Sequence, residues 1–210
     1  MPRKVLSDNY WRTPHEWNYY ASYWRTRQRV FCCSLSDVFE DHPTVIGQLP
    51  KLWETIRATP WLDWLLLSKR SARIHKSLPK DWGKGYHNVW LGVSVEDDHH
   101  SRLKRVDDLR NIPAAVRFIS YEPALSPIAH KVDLQGIDWL IYGGESGPNW
   151  RRDDPQWAED IRKPCKKHKT AFYYKQGAAF KQGADVYLNG KTYHNYPTLA
   201  QRRVPLPANI

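Results

Sequence analysis

The stretch Ile137-Asp138-Trp139-Leu140-Ile141-Tyr142-Gly143-Gly144-Glu145-Ser146-Gly147 decides how the rest of the chain is read. Its apolar run is long enough for a buried strand and too short for a helix. Adjacent Gly143 and Gly144 allow positive φ and close approach of a ligand. Glu145 and Ser146 then stand at a strand's carboxyl end, where parallel α/β folds place their chemistry. The alternative is a tight βα turn whose glycines serve only the chain, since short Gly-rich motifs are weak signals alone.

The same design recurs on both sides of it. Residues 29–34 read as a strand ending in Ser34-Leu35-Ser36-Asp37, and residues 61–67 as one ending in Ser68-Lys69-Arg70. Residues 88–93 lead to Ser94-Val95-Glu96, residues 116–120 to Tyr121-Glu122-Pro123, and residues 170–174 to Lys175-Gln176-Gly177. Helices are expected between them. Residues 44–58 carry an apolar stripe of Val45, Ile46, Leu49, Leu52, Trp53 and Ile56, with Pro50 as a possible kink. A short helix is expected over 71–78. Another, capped by Asp97, runs to about Leu109. A last one starts at Asp154-Pro155 and is shortened or kinked by Pro164.

Strand, polar mouth and helix in succession predict an α/β fold, a partial parallel (β/α) barrel of TIM-barrel type. An open doubly wound sheet is the alternative. The expected organisation is an aromatic N-terminal segment over 1–28, the partial barrel over 29–180, and a small hairpin with a basic tail over 181–210. In the first segment a helix is expected after Thr13, with Pro14 in its first turn and Trp11, Trp17, Tyr20 and Trp24 packed on the domain. Asn189-Gly190 predicts a hairpin turn within 186–193, followed by a loosely held tail from 197.

Composition bounds the function. The hydrophobic fraction of 41% and charged fraction of 26% fit a globular, ordered chain. A formal charge of +10 favours anionic partners such as nucleic acid or nucleotides. No apolar run reaches the ~18 residues that would span a membrane, so no membrane partner is expected. Nothing resembling a signal peptide follows Met1. Three cysteines, Cys32, Cys33 and Cys165, fit a reducing, cytoplasmic setting. Cys32 and Cys33 would point to opposite faces of a strand and make poor disulfide partners. No histidine or cysteine spacing suggests a metal site.

In a barrel the strand ends converge on one face. Asp37, Glu122, Glu145 and Lys175 are the candidates for positioning and proton transfer. Ser34, Ser68, Lys69, Arg70, Ser94, Glu96, Gly143, Gly144, Ser146 and Gln176 are the candidates for ligand binding, the cations suiting a carboxylate or phosphate.

Taken in order, residues 29–39, 66–70, 88–96, 116–123, 137–147 and 172–176 resemble an uncharacterised, phage-borne domain family found in phages, prophages and bacteria. The resemblance covers roughly residues 8–196. Full-length members carry an N-terminal cluster of three cysteines similar to the iron–sulfur motif of radical S-adenosylmethionine enzymes. The resemblance therefore implies a radical-type scaffold in a bacterial host cell, without an established reaction. This chain lacks the three cysteines. An iron–sulfur cluster and S-adenosylmethionine are expected only if a cysteine-bearing segment is supplied, for example by a separate chain. A truncated or late-starting gene product, a split enzyme and a degenerate binding protein are the alternatives. A non-enzymatic, nucleic-acid-associated phage protein is the second reading.

Overall fold

The computed structural model describes residues 3–198, 200 and 202–207. Among them the chain runs α1 (Asp8–Tyr23), β1 (Gln28–Cys32), α2 (Pro43–Ala58), β2 (Leu62–Ser68), α3 (Ser71–Ser77), β3 (Val89–Ser94), α4 (His100–Arg110), β4 (Val116–Tyr121), β5 (Trp139–Gly143), α5 (Pro155–His168) and β6 (Ala171–Gln176). The strands pair in parallel in the order β1-β2-β3-β4-β5-β6, forming an α/β half-barrel. The opening stretch is β5, as its apolar run predicts.

Side chains alternate across each strand. One set joins the helices: Leu91 and Val93 of β3, Ile119 of β4 and Leu140 of β5 pack with Ile56, Ile74, Val106, Leu109 and Ile161. The other set forms a separate cluster on the inner face, with Leu65, Trp90, Val116, Phe118 and Trp139. Burial of an apolar side chain such as Leu65 or Phe118 stabilises the fold by ~1.5–3 kcal/mol. Central strands buried on both faces explain the near-continuous apolar runs of the sequence.

Several local expectations are corrected. The first helix begins at Asp8, and Pro14 lies inside it, buried. Its packed stripe is Trp11, Pro14 and Ala21, helped by Asn18, whose Oδ1 accepts from the Trp61 backbone N–H at 2.8 Å. Small Ala21 lets the helix approach closely, which turns Trp17, Tyr20 and Trp24 outward, exposed at 44%, 61% and 70%. Ile46 is likewise exposed, whereas Leu52, Trp53 and Ile56 are buried as expected. His99, not Asp97, caps α4, its Nδ1 accepting from the Ser101 N–H. Helix α5 continues past Pro164 to His168, capped at its start by Asp154.

The C-terminal region also departs from expectation. Asn189 and Gly190 do take positive φ, but among the described residues the hairpin is a single antiparallel bridge between Leu188 and Lys191. Residues 193–195 lie antiparallel along β6, with Tyr174 N donating to Tyr193 O at 2.7 Å and Asn195 N to Phe172 O at 3.2 Å. They cover an edge that would otherwise invite pairing. The described part of the tail is anchored rather than loose. Arg202 meets Asp63 at 2.6 Å and Arg203 meets Asp138 at 3.0 Å. Residues 199, 201 and 208–210 of the expected tail lie outside the described residues.

Candidate functional site

Alternation places Glu96 beyond Ser94, and Glu122 beyond Ser120, on the inner side of the sheet. Ser94 and Ser120 are register partners on β3 and β4, so the two glutamates are neighbours on the rim. Glu122 Oε2 accepts from Ser120 Oγ at 2.8 Å, and Glu122 Oε1 meets Lys175 Nζ at 2.8 Å. Lys175 reaches it from β6, two strands away. Two features of β5 permit this. A Cβ on Gly143 would lie 2.3 Å from Glu122 Oε1, so only glycine leaves room for the carboxylate. The register also shifts there: Tyr142 faces Tyr174 and Gly143 faces Gln176, leaving Lys175 as the extra residue of a bulge. Bulges re-aim side chains in this way.

The second pair lies beside the first. Glu96 Oε1 meets Lys69 Nζ at 2.5 Å, and its Oε2 accepts from Arg105 Nη1 at 2.9 Å. Burial works to raise the Glu96 pKa, but Lys69 and Arg105 outweigh it and hold the carboxyl below its ordinary value. Arg105 comes from α4 and also donates to Ser94 O at 2.7 Å. At the β1–β2 end, Asp37 accepts from Ser68 Oγ at 2.9 Å, from the Phe39 and Lys69 backbone N–H groups at 3.0 Å, and from Arg70 Nη1 at 3.0 Å. Both Asp37 oxygens are thus engaged in joining the β1 and β2 mouths.

The structure brings Asp37, Ser68, Lys69, Arg70, Ser94, Glu96, Glu122, Gly143 and Lys175 onto this rim. The other candidates stand apart from it. Glu145 is held by Arg151 in a bidentate contact, with Nε and Nη2 both at 2.8 Å. Hydrogen bonds from the Arg151 side chain and backbone push its pKa down to about 2. Ser34 and Ser146 are exposed. Buried Gln176 donates to Gly144 O at 3.3 Å and accepts from Gly183 N at 2.7 Å, which ties down the loop after β6.

The two glycines of the opening stretch act differently from the expectation of positive φ. Neither has it; Gly147 does, with φ 125°. Gly143 makes room for Glu122, and a Cβ on Gly144 would lie 2.1 Å from Ala178 N, so that glycine lets the chain after β6 pass. Sequence reading missed Ser120, Arg105, Arg151 and Arg102, whose Nε lies 4.0 Å from Glu96 Oε2. Ser120 has a signal, two residues before Glu122 on one strand face; the arginines on α4 carry none.

Beneath the rim the inner face is aromatic. Trp139 packs edge-on to Trp90 at 5.8 Å, and Tyr196 lies 5.2 Å from Trp139 with Arg29 3.7 Å over its ring. A groove of about 450 Å³ lies away from the Glu–Lys pairs, between α1 and β1, lined by Trp17, Tyr20, Trp24 and Phe31 among others. The cysteines also depart from expectation. The Cys32 and Cys33 sulfurs are 3.5 Å apart instead of on opposite faces, because Cys33 leaves the strand with φ 59°. Cys165 is buried in α5, which pushes its pKa up to about 12. Among the described residues no group of three or more His, Cys, Asp and Glu side chains could hold a metal, and no helix is long and apolar enough to cross a membrane.

Neither a curated protein nor a solved structure matches this chain. The family described as "Protein of unknown function (DUF5131)" matches residues 1–197, nearly the whole sequence, and the chain belongs to that family.

Proposed function

We propose that the rim of the half-barrel binds a small zwitterionic or nucleotide-like ligand, one that presents a cation and an anion a few ångströms apart. The observation that carries this is the Glu122–Lys175 pair, poised over the inner face with side-chain exposures of 22% and 40%. A half-exposed pair of this kind is worth only ~0–1 kcal/mol, so a ligand can insert into it at little cost. Its ammonium or hydroxyl replaces Lys175 at Glu122, and its carboxylate or phosphate takes Lys175. Glu96 with Lys69 offers a second such station. Asp37 acts as a positioning group through Ser68, Lys69 and Arg70. Glu145, held by Arg151, takes no part in this site.

On this reading the chain is the ligand-holding part of a TIM-barrel-like, phage-type scaffold of radical S-adenosylmethionine character, working in the cytoplasm of a bacterial host. The described cysteines supply a thiol pair and one distant buried thiol, so they do not form a three-thiolate cluster site. An iron–sulfur cluster would need a separate cysteine-bearing segment to supply its thiolates. Calorimetric titration with S-adenosylmethionine and with adenosine monophosphate tests the site. Binding of either, weakened about tenfold or more by Glu122→Gln and by Lys175→Ala, supports it; a tenfold loss is ~1.4 kcal/mol. Absence of binding by both probes, or equal binding by the folded variants, overturns it.

A second reading rests on a different surface. Trp17, Tyr19, Tyr20, Tyr23 and Trp24 are all exposed on or next to α1, on a chain of formal charge +10. Bases stack on exposed aromatics flanked by cations. Binding to single-stranded DNA that falls steeply with salt and is lost in Tyr20→Ala/Trp24→Ala supports this reading; salt-insensitive binding or none removes it.

A further inference from the structure

Strand β1 ends at Cys32, and the left-handed φ of 59° at Cys33 breaks the alternation of side chains. The two sulfurs consequently meet at 3.5 Å, with the Cys32 thiol donating to Cys33 Sγ. Cys33 is exposed, whereas Cys32 is half-buried and packs against the core. The pair therefore has one accessible sulfur and one sheltered sulfur already in contact with it. We propose that Cys32 and Cys33 form a vicinal dithiol that exchanges with low-molecular-weight disulfides, Cys33 attacking and Cys32 resolving.

The step balances without a metal or cofactor. The Cys33 thiolate attacks one sulfur of the disulfide RSSR. The S–S bond breaks, RS⁻ leaves with the electron pair and takes a proton from water, and a mixed disulfide remains on Cys33. Cys32 then loses its proton, attacks Cys33 Sγ and expels the second RS⁻, which is protonated in turn. Two protein thiols are oxidised by two electrons, and one RSSR is reduced to two RSH. The hydrogen bonds from Cys32 and from Ser36 favour the Cys33 thiolate and lower its pKa to about 6, while Cys32 is held well above its ordinary value by its bond to Cys33 and by burial.

Adjacency makes the product reversible. Consecutive Cα atoms lie ~3.8 Å apart, short of the usual disulfide span of ~4.4–6.8 Å. A strained bridge is the readily reduced kind. It also acts on the rim. Ser36 N donates to Cys33 O at 3.0 Å in the turn that leads to Asp37, the carboxylate joining Ser68, Lys69 and Arg70. Closing the bridge re-shapes that turn.

Intact-mass analysis of the reduced full chain with glutathione disulfide tests the proposal. The wild type is expected to end two hydrogens lighter with no glutathione retained, and dithiothreitol is expected to reverse this. Cys32→Ser should keep one glutathione, and Cys33→Ser should react about tenfold more slowly near neutral pH, where thiolate fraction sets the rate. The wild-type rate should level off above pH about 6. A glutathione adduct that persists on the wild type, or a Cys33→Ser variant as fast as the wild type, overturns the proposal. Limiting iodoacetamide on the unmutated chain gives a check free of variant folding: Cys33 should be labelled ahead of Cys32 and Cys165, and equal labelling overturns it too.

Discussion

Glu122 and Lys175 meet at 2.8 Å across Gly143, joining strands that are not neighbours in the sheet. The contact exists because the intervening strand offers no side chain at that position and because a bulge re-aims the lysine. Gly143→Ala tests the relationship. The added Cβ would fall 2.3 Å from Glu122 Oε1, the far end of a flexible side chain that can swing away. Stability should change by less than ~1 kcal/mol, below the usual range for overpacking. The Glu122–Lys175 contact and any ligand affinity that depends on it should be lost. Chemical denaturation together with titration of the probes separates the two effects.

Gly144→Ala should behave oppositely. Here the Cβ would meet backbone, 2.1 Å from Ala178 N and 2.4 Å from the Gly177 carbonyl carbon. Backbone cannot rotate aside, so the variant should lose ~3 kcal/mol, the upper end of overpacking. Urea midpoints of the two alanine variants, measured side by side, check the contrast.

Asp63 is the most consequential carboxylate away from the rim. It is enclosed by Arg27 at 2.7 Å and Arg202 at 2.6 Å, with side-chain exposures of 5% for Asp63, 12% for Arg27 and 5% for Arg202. Asp63→Ala strands two buried guanidinium groups and should destabilise the protein by ~3–5 kcal/mol. Asp8→Ala removes an open pair with Lys51, where exposures are 89% and 40%, and should leave the denaturation midpoint unchanged.

Glu145 should titrate near pH 2 as long as Arg151 holds it. Its folded pKa is depressed, so the stabilisation from this contact is present above the unfolded pKa of ~4.3 and is lost as pH falls toward the folded value. Arg151→Ala should raise the carboxyl toward the ordinary glutamate range while leaving it below that range, because the backbone N–H of residue 151 still donates to it at 2.8 Å. Carboxyl-carbon NMR titration of the two proteins between pH 1.5 and about 6 reads the shift directly.

Much of the architecture was legible because it is written in local chemistry. Apolar runs closed by Ser68-Lys69, Ser94-Val95-Glu96 and Tyr121-Glu122 announce buried parallel strands with polar ends, and Asp154-Pro155 announces a helix start; each is found where the pattern places it. Pattern alone misjudged α1, because aromatic spacing shows that a helix has a stripe without showing which stripe the sheet accepts. There the close approach at Ala21 decided, and the larger aromatics turned outward.

The sequence by itself determined the order of strands and helices and the polar character of the strand ends, because both depend on residues within one turn or one strand of each other. Tertiary structure alone decided which of those polar residues share a rim. Glu122 finds Lys175 only through a bulge and a missing Cβ on β5, Glu96 draws Arg105 from a helix, and Glu145 is taken by Arg151. Cys32 and Cys33 come together only through one left-handed residue. The basic tail gains its fixed place from Asp63 and Asp138, more than sixty residues away along the chain in each case, as the separations of 139 and 65 show. Such pairings depend on the three-dimensional path of the backbone, which no local spacing encodes.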